Sequence, residues 1–264
     1  MTHGIGSPPV VWEAGSINLT DAPKLSPDEL HIWATPLATT GERSNLLEAD
    51  VAYLPWLTDR EMDKFDRMPA DKKGDYLRAR VFLRKLLAAY TDTQAGDIEL
   101  GIGRLGKPQL IGTQGGPAFN YSDTRYSDTR GMGIYVIGDS GELGIDIENL
   151  ARKLEYQRIL QRKFSAAEIT EISSHSDKCS DSHSQQSTAQ RFLAGWTRKE
   201  SYGKAMGVGV NFNMNEVEIA CDLGTASLEF EAGGRSWWLT QLLFDEYVVG
   251  LTASYFPKLR FFRL

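Results

Sequence analysis

In the stretch GELGIDIE, residues 141–148, two carboxylates interrupt a run that is otherwise apolar. Ile145 and Ile147 alternate with Asp146 and Glu148, and a period of two is the signature of a strand. Residues two apart on a strand share a face, so Asp146 and Glu148 stand side by side. Two carboxylates on one face repel unless a cation or a basic group lies between them. A chain that carries this strand has two choices. It can turn the strand to solvent as an ordinary edge, or it can fold so that further charge reaches it. In the second case a hard, oxygen-preferring cation such as Mg2+ is the natural occupant. These two residues alone leave both choices open.

A second motif, WTRKESYGK at residues 196–204, bears on that choice. The spacing predicts a helix over Phe192 to Ala205, on which Glu200 and Lys204 lie four apart and can meet. One reading is a surface ion pair, which contributes little. The other makes Glu200 a third metal carboxylate and Lys204 a phosphate contact or proton donor. Mg2+ is held by few carboxylates and fills its shell with water and substrate phosphate. Three acids with lysines nearby therefore suggest a Mg-pyrophosphate site.

The rest of the chain sets the frame. Thr58-Asp59-Arg60-Glu61 and Ser165-Ala166-Ala167-Glu168 both have capping-box spacing and should open helices. From Tyr76 to Tyr90, apolar residues three and four apart predict a strong helix that also carries Arg78, Arg80, Arg84 and Lys85. Tyr156 to Lys163 should be helical. Strands are expected at His31 to Leu37, Ile98 to Ile102, Met132 to Ile137, Ser236 to Leu243 and Tyr247 to Ala253. Helices and strands mix without regular alternation, which indicates α+β rather than a doubly wound sheet. Residues 1–29 read as a loose lead-in, 30–138 as one subdomain and 139–264 as a second. YSDTR occurs at Tyr121 to Arg125 and again at Tyr126 to Arg130, a local duplication too short for a solenoid. Residues 173–187 are polar and low in complexity. Their His175, Cys179 and His183 match no zinc spacing, so a flexible loop is expected.

Composition enters as an exclusion. The 264 residues are 41% hydrophobic and 24% charged, with a formal net charge of -6. An acidic chain has no global electrostatic reason to bind nucleic acid or an anionic membrane. No run approaches the length of a membrane helix. The start lacks a signal-peptide pattern, and two cysteines, Cys179 and Cys221, do not make a disulfide framework. These features predict a soluble, cytoplasmic protein.

GIDIE, followed about fifty residues later by WTRKESYGKAMG, resembles the signature of the phosphopantetheinyl transferase family, in its broad surfactin-synthetase-activating class. Upstream, Gly106-Lys107-Pro108 and the FN-x-S of Phe119 to Ser122 resemble two further motifs of that family. The helix LRARVFLRKLLAAY, Leu77 to Tyr90, resembles its arginine-rich N-terminal helix. The resemblance covers roughly residues 30–255, with the motifs in the family's order.

The resemblance implies a pair of similar αβ subdomains related by a pseudo-twofold axis. Each would be a small antiparallel sheet with helices, and the active site would lie in the cleft between them. It implies transfer of phosphopantetheine from coenzyme A to a serine of an acyl, peptidyl or aryl carrier protein, with adenosine 3',5'-bisphosphate released. By motif match, Asp146, Glu148 and Glu200 would hold Mg2+. Glu200 would also serve as the base, and Lys204 would neutralise or protonate the departing phosphate. Lys107, with Pro108, Asn120 and Ser122 of the same motifs, would contact coenzyme A; Lys199, Lys73 and Arg80 are further candidates for its phosphates.

One departure stands out. The family pattern continues after FN-x-S with a histidine that contacts coenzyme A phosphate, and this chain has Asp123 there. Arg125 or Arg130 would then supply the missing positive charge. Arg152, Lys153, Arg158 and Arg162 form a basic stretch suited to docking an acidic carrier protein. A monomer is expected. The competing readings are a Mg-dependent phosphate transferase acting on a small molecule, which leaves the upstream motifs unexplained, and a non-catalytic relative that binds coenzyme A or a carrier protein.

Overall fold

Helix starts follow the sequence most directly. In the computed structural model, which describes residues 10–13, 19, 22–37, 46–103, 106–113, 115–124, 131–173, 187–208, 214–223 and 227–264, helix α1 spans Asp59–Asp66. Thr58 caps it. Its hydroxyl accepts from Glu61 N at 3.3 Å, and Glu61 Oε2 accepts from Thr58 N at 3.0 Å. Helix α4, Ala166–Ser173, opens on the second box in the same way, with Ser165 N on Glu168 Oε2 at 2.7 Å and Glu168 N on Ser165 Oγ at 3.2 Å. A third box, Ser187 with Gln190, starts the helix α5, Thr188–Ala205.

The chain forms two compact units. The N-terminal unit comprises residues 12–104, 108–140 and 258–264. Its sheet has the order β10-β1-β5-β4, from β1 (Glu29–Pro36), β4 (Ala118–Thr124), β5 (Met132–Gly138) and β10 (Lys258–Arg263). Strand β5 runs antiparallel to both β1 and β4. The β1–β10 pair is parallel, with Ile32 opposite Phe261. A small antiparallel hairpin, β2 (Leu100–Ile102) with β3 (Pro108–Leu110), carries the Gly106-Lys107-Pro108 turn. Gly106 takes a left-handed φ of 95° there, which costs glycine nothing.

Helix α2, Ala70–Ala88, is buried along two stripes. Leu83, Leu86 and Leu87 pack with Trp33, Phe119, Tyr135, Ile137 and Phe262 of the sheet. Tyr76, Leu77 and Val81 pack instead with Phe65 of α1. Two apolar stripes leave little room for a polar face, so the arginines between them are buried too. Arg84 is buried against Glu61, Nη2 to Oε2 at 2.7 Å. Glu61 therefore both caps α1 and neutralises α2.

The C-terminal unit comprises residues 1–11, 105–107 and 141–257. Its antiparallel sheet has the order β6-β9-β8-β7, from β6 (Leu143–Asn149), β7 (Ser227–Ala232), β8 (Arg235–Phe244) and β9 (Tyr247–Ala253). A Gly233-Gly234 turn with positive φ at both residues joins β7 to β8, as a tight hairpin requires. Helices α3 (Gln157–Lys163), α4 and α5 complete the unit. Each unit is thus a small sheet with helices, and the protein is α+β. No described helix is long and apolar enough to cross a membrane. The second YSDTR copy, Arg125 and the His175–Cys179–His183 segment lie outside the described residues.

Candidate active site

The two acidic motifs meet in the C-terminal unit because glycine lets them. Helix α5 lies across β6 and β9, and the approach is closer than any side chain permits. A Cβ on Gly144 of β6 would overlap the Ser201 carbonyl oxygen of α5. A Cβ on Gly250 of β9 would sit 2.7 Å from Arg198 N. Gly250 is the register partner of Asp146. Ser201 Oγ pairs with Thr252 Oγ1 of β9 at 2.8 Å, which fixes the helix along the sheet. This close docking brings α5 against the strand that carries Asp146 and Glu148.

The electrostatics confirm that the three acids share one environment. Asp146 and Glu148 are buried at 7% exposure and Glu200 at 8%. Burial, then the charge of Asp146, pushes the Glu200 carboxyl up to about 7, against the pull of Lys204 and Lys163. Glu200 Oε1 is buried and has no hydrogen-bond partner among the described residues. Lys204 Nζ donates to Asp146 Oδ1 at 2.7 Å and to the Ile145 carbonyl at 3.0 Å. Arg152 Nη1 donates to Glu148 Oε1 at 2.6 Å. So the pair of acids on β6 is held by basic side chains, one for each carboxylate. The donor set is all oxygen, which suits a hard divalent cation, and the unpartnered Glu200 oxygen is a ligand in search of one. As the side chains stand, no group of three described acidic, His or Cys residues already forms a cation cage.

Comparison with known proteins bears on what this cluster belongs to. A family model described as the 4'-phosphopantetheinyl transferase superfamily matches residues 142–252, the stretch that contains all three acids and Lys204. These residues are similar to a phosphopantetheinyl transferase superfamily domain, and the match covers less than half of the chain. Among similar proteins, HetI of a Nostoc species, named as a 4'-phosphopantetheinyl transferase, is 25% identical over 92% of this chain and 92% of its own length. A Synechocystis protein, slr0495, named provisionally for the same activity, is 27% identical over 70% of this chain and 71% of its own. The human L-aminoadipate-semialdehyde dehydrogenase-phosphopantetheinyl transferase is 26% identical over 64% of this chain and 52% of its own.

Two lysines of the C-terminal unit have different fates. Lys107 Nζ donates to the carbonyl of Leu143 at 2.6 Å, at the start of β6. Burial lowers it to about 8, partly offset by Glu142. Lys199, next to Glu200 in sequence, is not brought to the acids. It is 1% exposed, ion-paired with Glu168 at 2.8 Å, and donates to the carbonyls of Met214 and Val217 at 2.6 and 3.0 Å. Its charge anchors α5 to α4 and to the segment before Ile219. Arg198 is buried beside it, lowered to about 10 by desolvation, and donates to the Asp222 carbonyl at 3.0 Å.

The other predicted contacts lie in the N-terminal unit. Asn120 is buried and Ser122 half-buried on β4, while Pro108 begins β3. The Arg80 guanidinium is buried between the rings of Tyr76 and Tyr121, 4.6 Å from each centroid. It faces Asp123 at 3.7 Å and Glu61 at 3.4 Å. Asp123, which stands where the family pattern has histidine, is therefore balanced by an arginine. Lys73 lies over the Phe65 ring at 4.6 Å. A larger groove of about 640 Å3 beside it is lined by Arg60, Lys64, Arg67 and Lys72. None of these four was among the contacts expected from the sequence. The spacing of Arg60, Lys64 and Arg67, four and then three along α1 and its end, was a legible one-face pattern. Lys163 was read only as part of the basic stretch, yet its charge reaches Glu200. Of the residues expected to dock a carrier, Arg152 is engaged with Glu148, while Lys153, Arg158 and Arg162 are exposed.

Proposed function

We propose that this protein transfers the 4'-phosphopantetheine group of coenzyme A to a serine of an apo carrier protein and releases adenosine 3',5'-bisphosphate. The observation that carries the reading is the buried trio Asp146, Glu148 and Glu200 beside Lys204, inside the segment that matches the superfamily. The relatives' names support the same chemistry.

In this reading Asp146, Glu148 and Glu200 would hold Mg2+, which would neutralise pyrophosphate charge and lower the cost of charge on the leaving oxygen. The serine Oγ attacks the phosphorus next to pantetheine. The bond from that phosphorus to the adenylate phosphate oxygen breaks, and the adenosine bisphosphate leaves. Glu200 takes the serine proton. Its buried oxygen without a partner and its raised pKa suit a base working near neutral pH. Lys204, now on Asp146, neutralises the departing phosphate. Lys107 offers a cation for the remaining phosphates of coenzyme A. The exposed Lys153, Arg158 and Arg162 present a basic surface to an acidic carrier. Transfer of this type depends on positioning and charge neutralisation more than on covalent chemistry by the protein.

The test is direct. The protein is incubated with coenzyme A, Mg2+ and an apo carrier, and the carrier is weighed by mass spectrometry. A gain of one phosphopantetheine mass, lost with Glu200→Gln, is expected. Carriers of several types that all keep their apo mass refute the reading.

A further inference from the structure

The sheet of the C-terminal unit presents a second face that the proposed chemistry does not use. Phe230 and Trp237 each meet Tyr202 of α5 edge-on, at 5.2 Å between centroids, so they point to the helix side. Their strand neighbours project the other way. The register sets Glu229 opposite Trp238 and Glu231 opposite Ser236 on that far side. Together with Tyr255 and Phe256, which follow β9, these residues line a groove of about 380 Å3.

The chemistry of the groove is specific. Phe256 is 63% exposed, an unusual position for a phenylalanine, and stands edge-on to Trp238 at 5.7 Å. Trp238 is 4% exposed, yet its indole N–H has no hydrogen-bond acceptor among the described residues. A buried donor without an acceptor is costly. Glu229 and Glu231 are exposed carboxylates, and the Ser236 hydroxyl donates to Glu231. No lysine or arginine lines the groove. The nearby Arg235 is paired with Glu142 at 2.5 Å.

From these features we infer that the groove binds an arginine side chain on an extended peptide segment of a partner protein. Aromatic faces beside carboxylates select a cation, and a planar guanidinium both stacks on rings and pairs with carboxylates. An uncharged apolar ligand would instead cover Glu229 and Glu231 without compensation. The peptide carries what a free cation lacks. Its carbonyls are acceptors of the kind the Trp238 N–H is missing. Among the described residues strand β7 is the outer strand of its sheet, and an outer edge can pair with an extended backbone that places alternate side chains over the groove. This surface is separate from the acidic trio, and its partner is basic where the proposed carrier is acidic.

The probe is a labelled peptide Ala-Arg-Ala-Arg-Ala titrated into the full chain and followed by fluorescence anisotropy and tryptophan emission. A peptide of the same shape with citrulline for arginine, and butylguanidinium alone, serve as comparisons. Saturable binding of the arginine peptide is expected, with both comparisons at least about tenfold weaker. The Phe256→Ala variant and the Glu229→Gln/Glu231→Gln variant alter exposed side chains, so both should fold normally by circular dichroism. Each should weaken the peptide about tenfold. Equal binding of the citrulline peptide, butylguanidinium as tight as the peptide, unchanged binding by both variants, or no binding at millimolar peptide each overturns the inference.

Discussion

Replacing Gly250 with alanine should cost this protein activity before it costs the fold. The new Cβ would lie 2.7 Å from Arg198 N, whereas unstrained heavy-atom contacts begin at about 3.5 Å. The Thr197 carbonyl lies closer still, so helix α5 must retreat from β9 by at least about 0.8 Å, the difference between those distances. Overpacking of this kind typically costs about 1–3 kcal/mol. In a protein of this size that lowers the unfolding temperature by about 2–10 °C. Glu200 rides on the displaced helix, while Asp146 stays on β6. A misplacement near 1 Å between catalytic groups can cost about a hundredfold in rate. Scanning calorimetry and the carrier-mass assay, run on the same preparation, read the two effects separately. Gly144→Ala should act in the same direction on the β6 side. If Gly250→Ala unfolds at the wild-type temperature and transfers at the wild-type rate, close docking of α5 is not what sets the geometry.

Two further outcomes test the surroundings. His31 is fully buried, between Tyr90 Oη at 2.6 Å and Glu29 Oε2 at 3.1 Å, and burial lowers its pKa below 6.5 despite Glu29. The unfolded chain then binds a proton that the folded one resists, so stability is intact above about pH 6.5 and falls as pH drops below it. His31→Gln should flatten that part of the curve when denaturant midpoints at pH 7.5 and 5.5 are compared, and equal slopes would refute the assignment. Lys199→Met strands Glu168 as a buried, unpaired acid and should cost about 3–5 kcal/mol in urea unfolding. Glu168→Gln added to it removes the stranded charge while keeping an acceptor for the backbone donors of Ser165 and Ile219, and should restore part of the loss; a double variant as unstable as Lys199→Met would count against the ion pair.

Much of this was legible in the sequence because it rested on local rules. Both predicted capping boxes form, since they involve side chains and amides three residues apart. The alternation around Asp146 gave the strand, and the spacing of Glu200 and Lys204 gave the helix. What stayed hidden was set by distance along the chain. Lys199 and Lys204 sit on one helix five positions apart, and nothing local says which of them meets an acid. The answer depends on Glu168 coming from α4 and Asp146 from β6. Arg152 looked like surface charge, but it lies four residues beyond Glu148 where the chain turns back toward the strand. Strand β10 escaped notice because its partner, β1, lies at the other end of the sequence. The family motifs identified the acids; the glycines that let them meet needed the packing to be seen.

That pairing of β1 with β10 has a consequence for how the protein is made. The segment of residues 142–252 that matches the superfamily lies in the sequence between β5 and β10 of the N-terminal unit. Synthesis delivers β1, β4 and β5 early, but their sheet lacks an outer strand until Lys258–Arg263 has left the ribosome. During that interval the β1 edge is exposed, a template for wrong pairing. The C-terminal unit completes its last strand, β9, at Ala253, shortly before β10 begins at Lys258. Its folding would shorten the effective loop that separates β1 from β10, and so speed the closure that completes the older half of the chain.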